Sequence, residues 1–296
     1  MSVRFCGLSL AHPVINGSGT FDALAGQRAF GERVLHERFP FSAYVSKTIT
    51  LKPRRGNPPP RLWEAAGGLI NSIGLPNKGL AAYLEEDLPA LARLPVPLIT
   101  NVMGSDAAQI AQLVGACDER PEIAALELNM SCPNVRTGLD IGADPAQLLA
   151  VVGQVRPCTA KPLIVKLTPN TADVTACALA AQGGGADAVS LINTLRALAL
   201  SPRARGEATA PDGQVPRRWL GGGSGGLSGP AIRSVALAQV AAVAERVQIA
   251  VIGMGGVQNG AHARELLDVG ATLVAVGTES FRDPAAGLRI ARELEV

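Results

Sequence analysis

The chain has 296 residues, 47% hydrophobic and 18% charged, enough apolar material for a substantial core at a length that α/β barrels fill as one domain. A formal net charge of +2, without a run of Lys or Arg, argues against the concentrated positive surface of a nucleic-acid binder. No stretch is long and apolar enough to cross a bilayer, and residues 1–10 lack the apolar core of a secretory signal, so a cytoplasmic chain with neither a membrane nor a nucleic-acid partner is expected.

In chain order, the first short apolar run is 13–16 and the second is 43–46, followed at once by Lys47. Residues 50–79, rich in Pro, Gly and Asn, are too long for an ordinary barrel loop, and such excursions are usually functional lids or disordered. Run 96–102 contains Asn101. Beyond it Ile110, Leu113, Val114 and Cys117 share one helical face. Run 124–130 contains Asn129 and leads into Ser131, Cys132, Pro133 and Asn134. Asp144 and Pro145 then form an N-cap and first-turn proline ahead of Leu148, Leu149, Val152 and Val155. Run 163–167 carries Lys166, and 188–192 precedes Asn193. A second excursion, 195–227, holds Arg203, Arg205, Arg217 and Arg218 before a glycine tract. Runs 249–252 and 273–276 end in Gly253-Met-Gly-Gly256 and Gly277-Thr278.

Continuous rather than alternating apolarity suits strands buried on both faces of a parallel sheet. Eight such runs with helical segments between them predict an α/β fold: a (β/α)8 TIM barrel, one domain over 1–296, with long active-site loop insertions. In a barrel the C-terminal strand ends share one rim. Lys47, Asn101, Asn129, Lys166 and Asn193 would therefore converge there. The last two glycine runs match a phosphate cradle after strands seven and eight. Lys166 would place a cation beside a phosphate-bearing aromatic cofactor and stabilise charge on its reduced ring. Cys132 stands in a polar turn after a strand, where modest tuning of an ordinary thiol pKa of about 8.5 yields a base near neutral pH. Cys117 and Cys177 fit apolar helix faces, and Cys6 precedes a turn. The five cysteines are odd in number and scattered, which disfavours a disulfide framework, a zinc site or a self-contained iron–sulfur cluster. Gly221 to Gly226 formally fits GxGxxG but follows no strand and lacks the later acidic residue. His12, His36 and His262 show no metal-ligand spacing, and no metal site is expected.

The ordered motifs Asn16-Gly-Ser-Gly19, Ser46-Lys-Thr48, Arg55 to Arg61, Asn71-Ser-Ile-Gly-Leu75, Asn101-Val-Met-Gly104, Glu127 to Asn134, Lys166 to Asn170, Ile192-Asn-Thr194, Gly226 to Pro230, Gly253 to Gly256 and Gly277-Thr278 together resemble the dihydroorotate dehydrogenase family. The resemblance implies an FMN enzyme that oxidises dihydroorotate to orotate in pyrimidine synthesis, with Cys132 removing the C5 proton and hydride passing from C6 to flavin N5. It implies that Ser18, Lys47, Thr48, Asn101, Asn129, Lys166, Ile192, Gly229, Gly255, Gly256, Gly277 and Thr278 hold FMN. It assigns Lys47, Asn71, Ser72, Ile73, Gly74, Leu75, Asn129, Asn193 and Thr194 to the substrate. The motif details look like the NAD-linked class 1B catalytic subunit. That class implies a homodimeric core and a partner subunit carrying FAD and a 2Fe–2S cluster. A fumarate-linked class 1A enzyme and a flavin barrel acting on another dihydropyrimidine are the alternatives. Asn16-Gly17, Ser72, Pro76 and the longer segment before Gly226 depart from the family's usual pattern.

Overall fold

The computed structural model describes residues 2–130, 141–201 and 218–295. Eight strands form one parallel sheet: β1 Val14–Asn16, β2 Tyr44–Val45, β3 Leu98–Val102, β4 Ile123–Asn129, β5 Leu163–Lys166, β6 Ala188–Leu191, β7 Ala250–Met254 and β8 Leu273–Val276. From β2 to β8 each strand pairs with its sequence neighbours, and β8 pairs with β1. With helices between the strands this is the (β/α)8 barrel that the apolar runs predicted.

The last seam, between β1 and β2, is closed differently. Ser42 N–H donates to Val14 O at 3.0 Å. One turn above, the Asn16 side chain replaces a ladder rung: its Nδ2 donates to Val45 O and its Oδ1 accepts from Val45 N–H, both at 2.8 Å. Asn16 is fully buried, so these bonds satisfy groups that water cannot reach.

Side-chain alternation along the strands sorts the two faces. Ile15, Val45, Ile99, Ala125, Ile164, Ala188, Ile252 and Leu273 fill the barrel interior. The opposite faces, including Val14, Leu98, Leu126, Leu128, Val165, Val189 and Val274, meet the helix layer. A short hairpin, Val3–Phe5 with Leu8–Leu10, precedes the barrel. Its two-residue turn has Cys6 and Gly7 at φ +46° and +83°, as a type I′ hairpin requires, and it packs Phe5 and Leu10 onto the interior cluster. Continuous apolarity gave no signal for this hairpin.

Helix starts follow local chemistry. Asp106, Asp144, Asp173 and Asn259 each accept a backbone N–H from the first turn of the helix that follows, the bond that stabilises an N-terminus. Pro145 occupies the first helical position after Asp144, as the sequence predicted. Among the described residues no helix is long and apolar enough to cross a membrane.

The two excursions form one object. Leu62–Ala65, Gly68–Asn71, Gly225–Ser228 and Leu195–Ala197 make a four-stranded antiparallel sheet in which Gly225–Ser228 lies between Leu195–Ala197 and Gly68–Asn71. Trp63 and Trp219 stack edge-on across it, ring centroids 5.3 Å apart. The glycine tract therefore supplies a lid strand, not a dinucleotide turn.

Asn16→Ala should lower stability by roughly 2–4 kcal/mol in urea denaturation, because it orphans a buried donor and a buried acceptor on Val45. Asn16→Asp should be no milder, since a carboxylate oxygen would then face Val45 O. A loss below about 0.5 kcal/mol for both, the range of a neutral surface change, would show that the seam does not depend on this amide.

Candidate active site

The strand-end residues gather at the C-terminal rim. Asn101 lies within β3, Asn129 and Lys166 end β4 and β5, and Lys47 and Asn193 follow β2 and β6 by two residues. Asn129 Nδ2 donates to Thr48 Oγ1 at 3.2 Å. Ser18 Oγ donates to Ser46 O at 2.8 Å, and Ser46 Oγ accepts the Asn101 N–H at 3.0 Å. The loops after β1 and β2 are thereby tied to each other and to the ends of β3 and β4. Lys47 is exposed, its stem 3.9 Å from where a side chain on Gly19 would begin.

Immediately above the apolar interior lies a polar layer, two residues further along each strand. Asn101, Glu127, Lys166 and Ser190 occupy it on β3, β4, β5 and β6, all buried. Glu127 accepts from Asn101 Nδ2 at 2.5 Å and from Ser190 Oγ at 2.7 Å. Lys166 is 6% exposed, and no carboxylate among the described residues lies within salt-bridge distance of it. A largely buried lysine with no carboxylate beside it is costly, which suits a site that receives negative charge.

The expected cradle also assembles. Gly229 has φ +92°, Gly255 +134° and Gly256 +71°, conformations in which glycine carries no steric penalty. A Cβ on Gly256 would lie 3.0 Å from Gly229 O, and one on Gly229 would lie 3.5 Å from Thr278 Cγ2. Thr278 Oγ1 donates to Ser228 Oγ at 2.8 Å. Gly277 is open on its Cβ side, with only Thr20 Cγ2 at 3.7 Å. Gly253 belongs to β7 itself, which runs two residues past the expected end, and a Cβ there would crowd Ala271 and Leu266. Gly253 is thus a packing glycine. Ile192 is buried beside this cradle, 3.4 Å from the Cβ direction of Gly255.

The lid brings in the remaining candidates. Asn71 Nδ2 donates to Gly226 O at 3.2 Å. Asn193 Oδ1 accepts the Thr194 N–H at 2.9 Å, and Thr194 O accepts from Asn170 Nδ2 at 3.0 Å. Ser72 is buried and held by Asn57 Nδ2, which donates to its O at 3.1 Å and its Oγ at 3.0 Å. Ile73, Gly74 and Leu75 form a turn with positive φ at the last two; this turn packs on Asn57 and is tied down by Asn77 rather than by a strand end. Cys132 and its neighbours Ser131, Pro133 and Asn134 lie outside the described residues.

The family profile for dihydroorotate dehydrogenase matches residues 1–296. A dihydroorotate dehydrogenase B (NAD(+)) catalytic subunit from Pelobacter propionicus is 44% identical over 296 residues, covering 100% of this chain and 92% of the relative. Proteins of the same name from Desulforudis audaxviator, 44% identical over 99% of the chain and 91% of the relative, and Geobacter metallireducens, 43% over 100% and 92%, are similarly alike. The chain belongs to the dihydroorotate dehydrogenase family. It is accordingly an oxidoreductase.

Dihydroorotate oxidation needs a proton acceptor, and two of the described thiols are poorly suited to it. Burial, and then the Asp187 carboxylate, push Cys6 up to about 11. Burial pushes Cys117 up to about 12, against the pull of Lys161 and Arg120. Sequence reasoning singled out neither Glu127 nor Ser190 as site residues, although a Glu and a Ser inside otherwise apolar strands, in phase with Lys166, were the available signal. Asn57 and Ser228 carried no such signal, because their partners are distant in the chain.

Time-limited alkylation at pH 8, followed by peptide mass spectrometry, should modify Cys6 at least about a hundredfold more slowly than an ordinary free thiol, from the smaller thiolate fraction. Labelling of Cys6 at the free-thiol rate would contradict the environment described. Gly226→Ala should force Thr194 aside, since the new Cβ would stand 2.5 Å from Thr194 Cβ. The lid should then be cut faster in limited proteolysis while the barrel's thermal midpoint stays within a few degrees; an unchanged cleavage rate would show that the lid absorbs the methyl group.

Proposed function

We propose that residues 1–296 form one catalytic unit that oxidises dihydroorotate to orotate with FMN at the barrel rim. The observation that carries the reading is the gathering of a buried lysine, a glycine–threonine cradle and several amides at one rim, in a chain matching the family over its whole length. When bound there, FMN supplies N5 as acceptor of the hydride from C6.

The residues divide by chemistry. Backbone N–H groups at Gly229, Gly255, Gly256 and Gly277, with the Thr278 hydroxyl, suit a phosphate. Ser18, Thr48, Asn101, Asn129 and Ile192 line the rim as donors, acceptors and apolar wall for the rest of the cofactor. Lys166 places its ammonium where negative charge is to be stabilised. Asn71, Asn129, Asn193 and Thr194 offer amide and hydroxyl groups matching a planar pyrimidine, Ser72 to Leu75 shape the loop over it, and the exposed Lys47 offers a cation to its carboxylate. Cys132 Sγ takes the C5 proton, so that the C5–C6 bond becomes double as hydride departs from C6. The lid sheet covers the rim and limits water access.

The printed names of the relatives, with "NAD(+)" and "catalytic subunit", support a class 1B assignment. The chain would work in the cytoplasm as a homodimeric core, passing electrons to a partner subunit that carries FAD and a 2Fe–2S cluster and reduces NAD.

Purified protein should be yellow, and dihydroorotate should bleach its flavin absorption under anaerobic conditions. Cys132→Ala should retain flavin but reduce it roughly a hundredfold or more slowly, the usual contribution of a positioned base. A colourless protein that refuses FMN contradicts the cofactor assignment, and wild-type reduction by Cys132→Ala removes the cysteine from its role.

A further inference from the structure

The polar layer contains a carboxylate that the proposed reaction does not use. Glu127 is buried and takes hydrogen bonds on both oxygens, from Asn101 Nδ2 and Ser190 Oγ. Asn101 is itself fully buried, and its Oδ1 has no hydrogen-bond partner. These observations are connected. A carboxylate only accepts, so the Asn101 amide must turn its NH2 towards Glu127; the reverse orientation would press oxygen against oxygen. Glu127 thereby decides that the free end of this amide is an acceptor.

A glutamine at 127 would fill the same volume without burying a charge. It would not impose a direction, because its own amide can meet either end of Asn101. We propose that Glu127 is a positioning residue for the cofactor: with Ser190 it locks the Asn101 amide so that Oδ1 receives an N–H or O–H donor of the flavin. The proposal rests on the FMN reading above. Asn101 touches the cofactor, and Glu127 acts only through it.

The test compares wild type, Glu127→Gln and the exchanged pair Asn101→Asp/Glu127→Gln, each stripped of flavin and titrated with FMN by fluorescence quenching. The thermal midpoint of each apoprotein is recorded alongside. In the exchanged pair a carboxylate at 101 again presents an acceptor, while the amide at 127 donates to it and still accepts from Ser190. Glu127→Gln should weaken FMN binding roughly tenfold or more, the effect of losing or reversing one buried hydrogen bond. The exchanged pair should return most of that loss. Equal affinity in all three proteins overturns the proposal, as does an exchanged pair no better than Glu127→Gln. Should Glu127→Gln not fold, a folded exchanged pair binding within a few-fold of wild type supports the locking role, and one that binds more than tenfold weaker overturns it. Failure of wild type to bind FMN would instead sink the cofactor reading.

Discussion

Two hydrogen bonds of one buried amide, beside the Ser42 N–H on Val14 O, close the last seam of this barrel. Eight parallel strands bury their backbone polar groups only if the sheet has no edge, and an unpaired edge facing the core is costly. Seven seams are closed by ordinary ladders. At the eighth, Asn16 spans to Val45 with its side chain. Just beyond that bridge Ser18 Oγ donates to Ser46 O, tying together the two loops that follow. A closed sheet with an apolar interior leaves its C-terminal strand ends as the place where polar side chains converge, and the proposed chemistry is placed there.

The interior changes character within one step of the strand repeat. Ile99, Ala125, Ile164 and Ala188 give way, two residues on, to Asn101, Glu127, Lys166 and Ser190. Buried ionic groups on this scale seldom add stability, so the layer is better understood as preorganisation. It holds a cation and an oriented acceptor beneath the place where the cofactor is proposed to lie, fixed before any ligand arrives. The lid sheet draws its strands from segments about 155 residues apart in the chain, as the Asn71–Gly226 bond shows.

What was legible in the sequence follows from which interactions are local. Continuous apolar runs revealed the eight strands, and polar residues at their ends revealed the rim. The glycines after the last two strands suggested a cradle, and of these β7, which extends to Met254, takes Gly253 into its own packing. The lid sheet was not legible, because half-buried strands such as Leu62–Ala65 and Gly225–Ser228 acquire meaning only through each other. The Asn16 bridge was equally hidden: an asparagine before a glycine reads as a turn, and only the three-dimensional seam gives its amide a strand to pair with. Glu127 and Ser190 were visible as polar residues inside apolar strands, but their partnership with Asn101 required the barrel to bring β3, β4 and β6 around one point.

The most direct measurement is a crystal structure of the protein with FMN and orotate. The account predicts the phosphate against Gly229, Gly256 and Thr278, the ring system in contact with both Lys166 and Asn101 Oδ1, and the Cys132 sulfur on the side of orotate away from the flavin. A phosphate bound elsewhere, or a Cys132 sulfur remote from orotate, would contradict it.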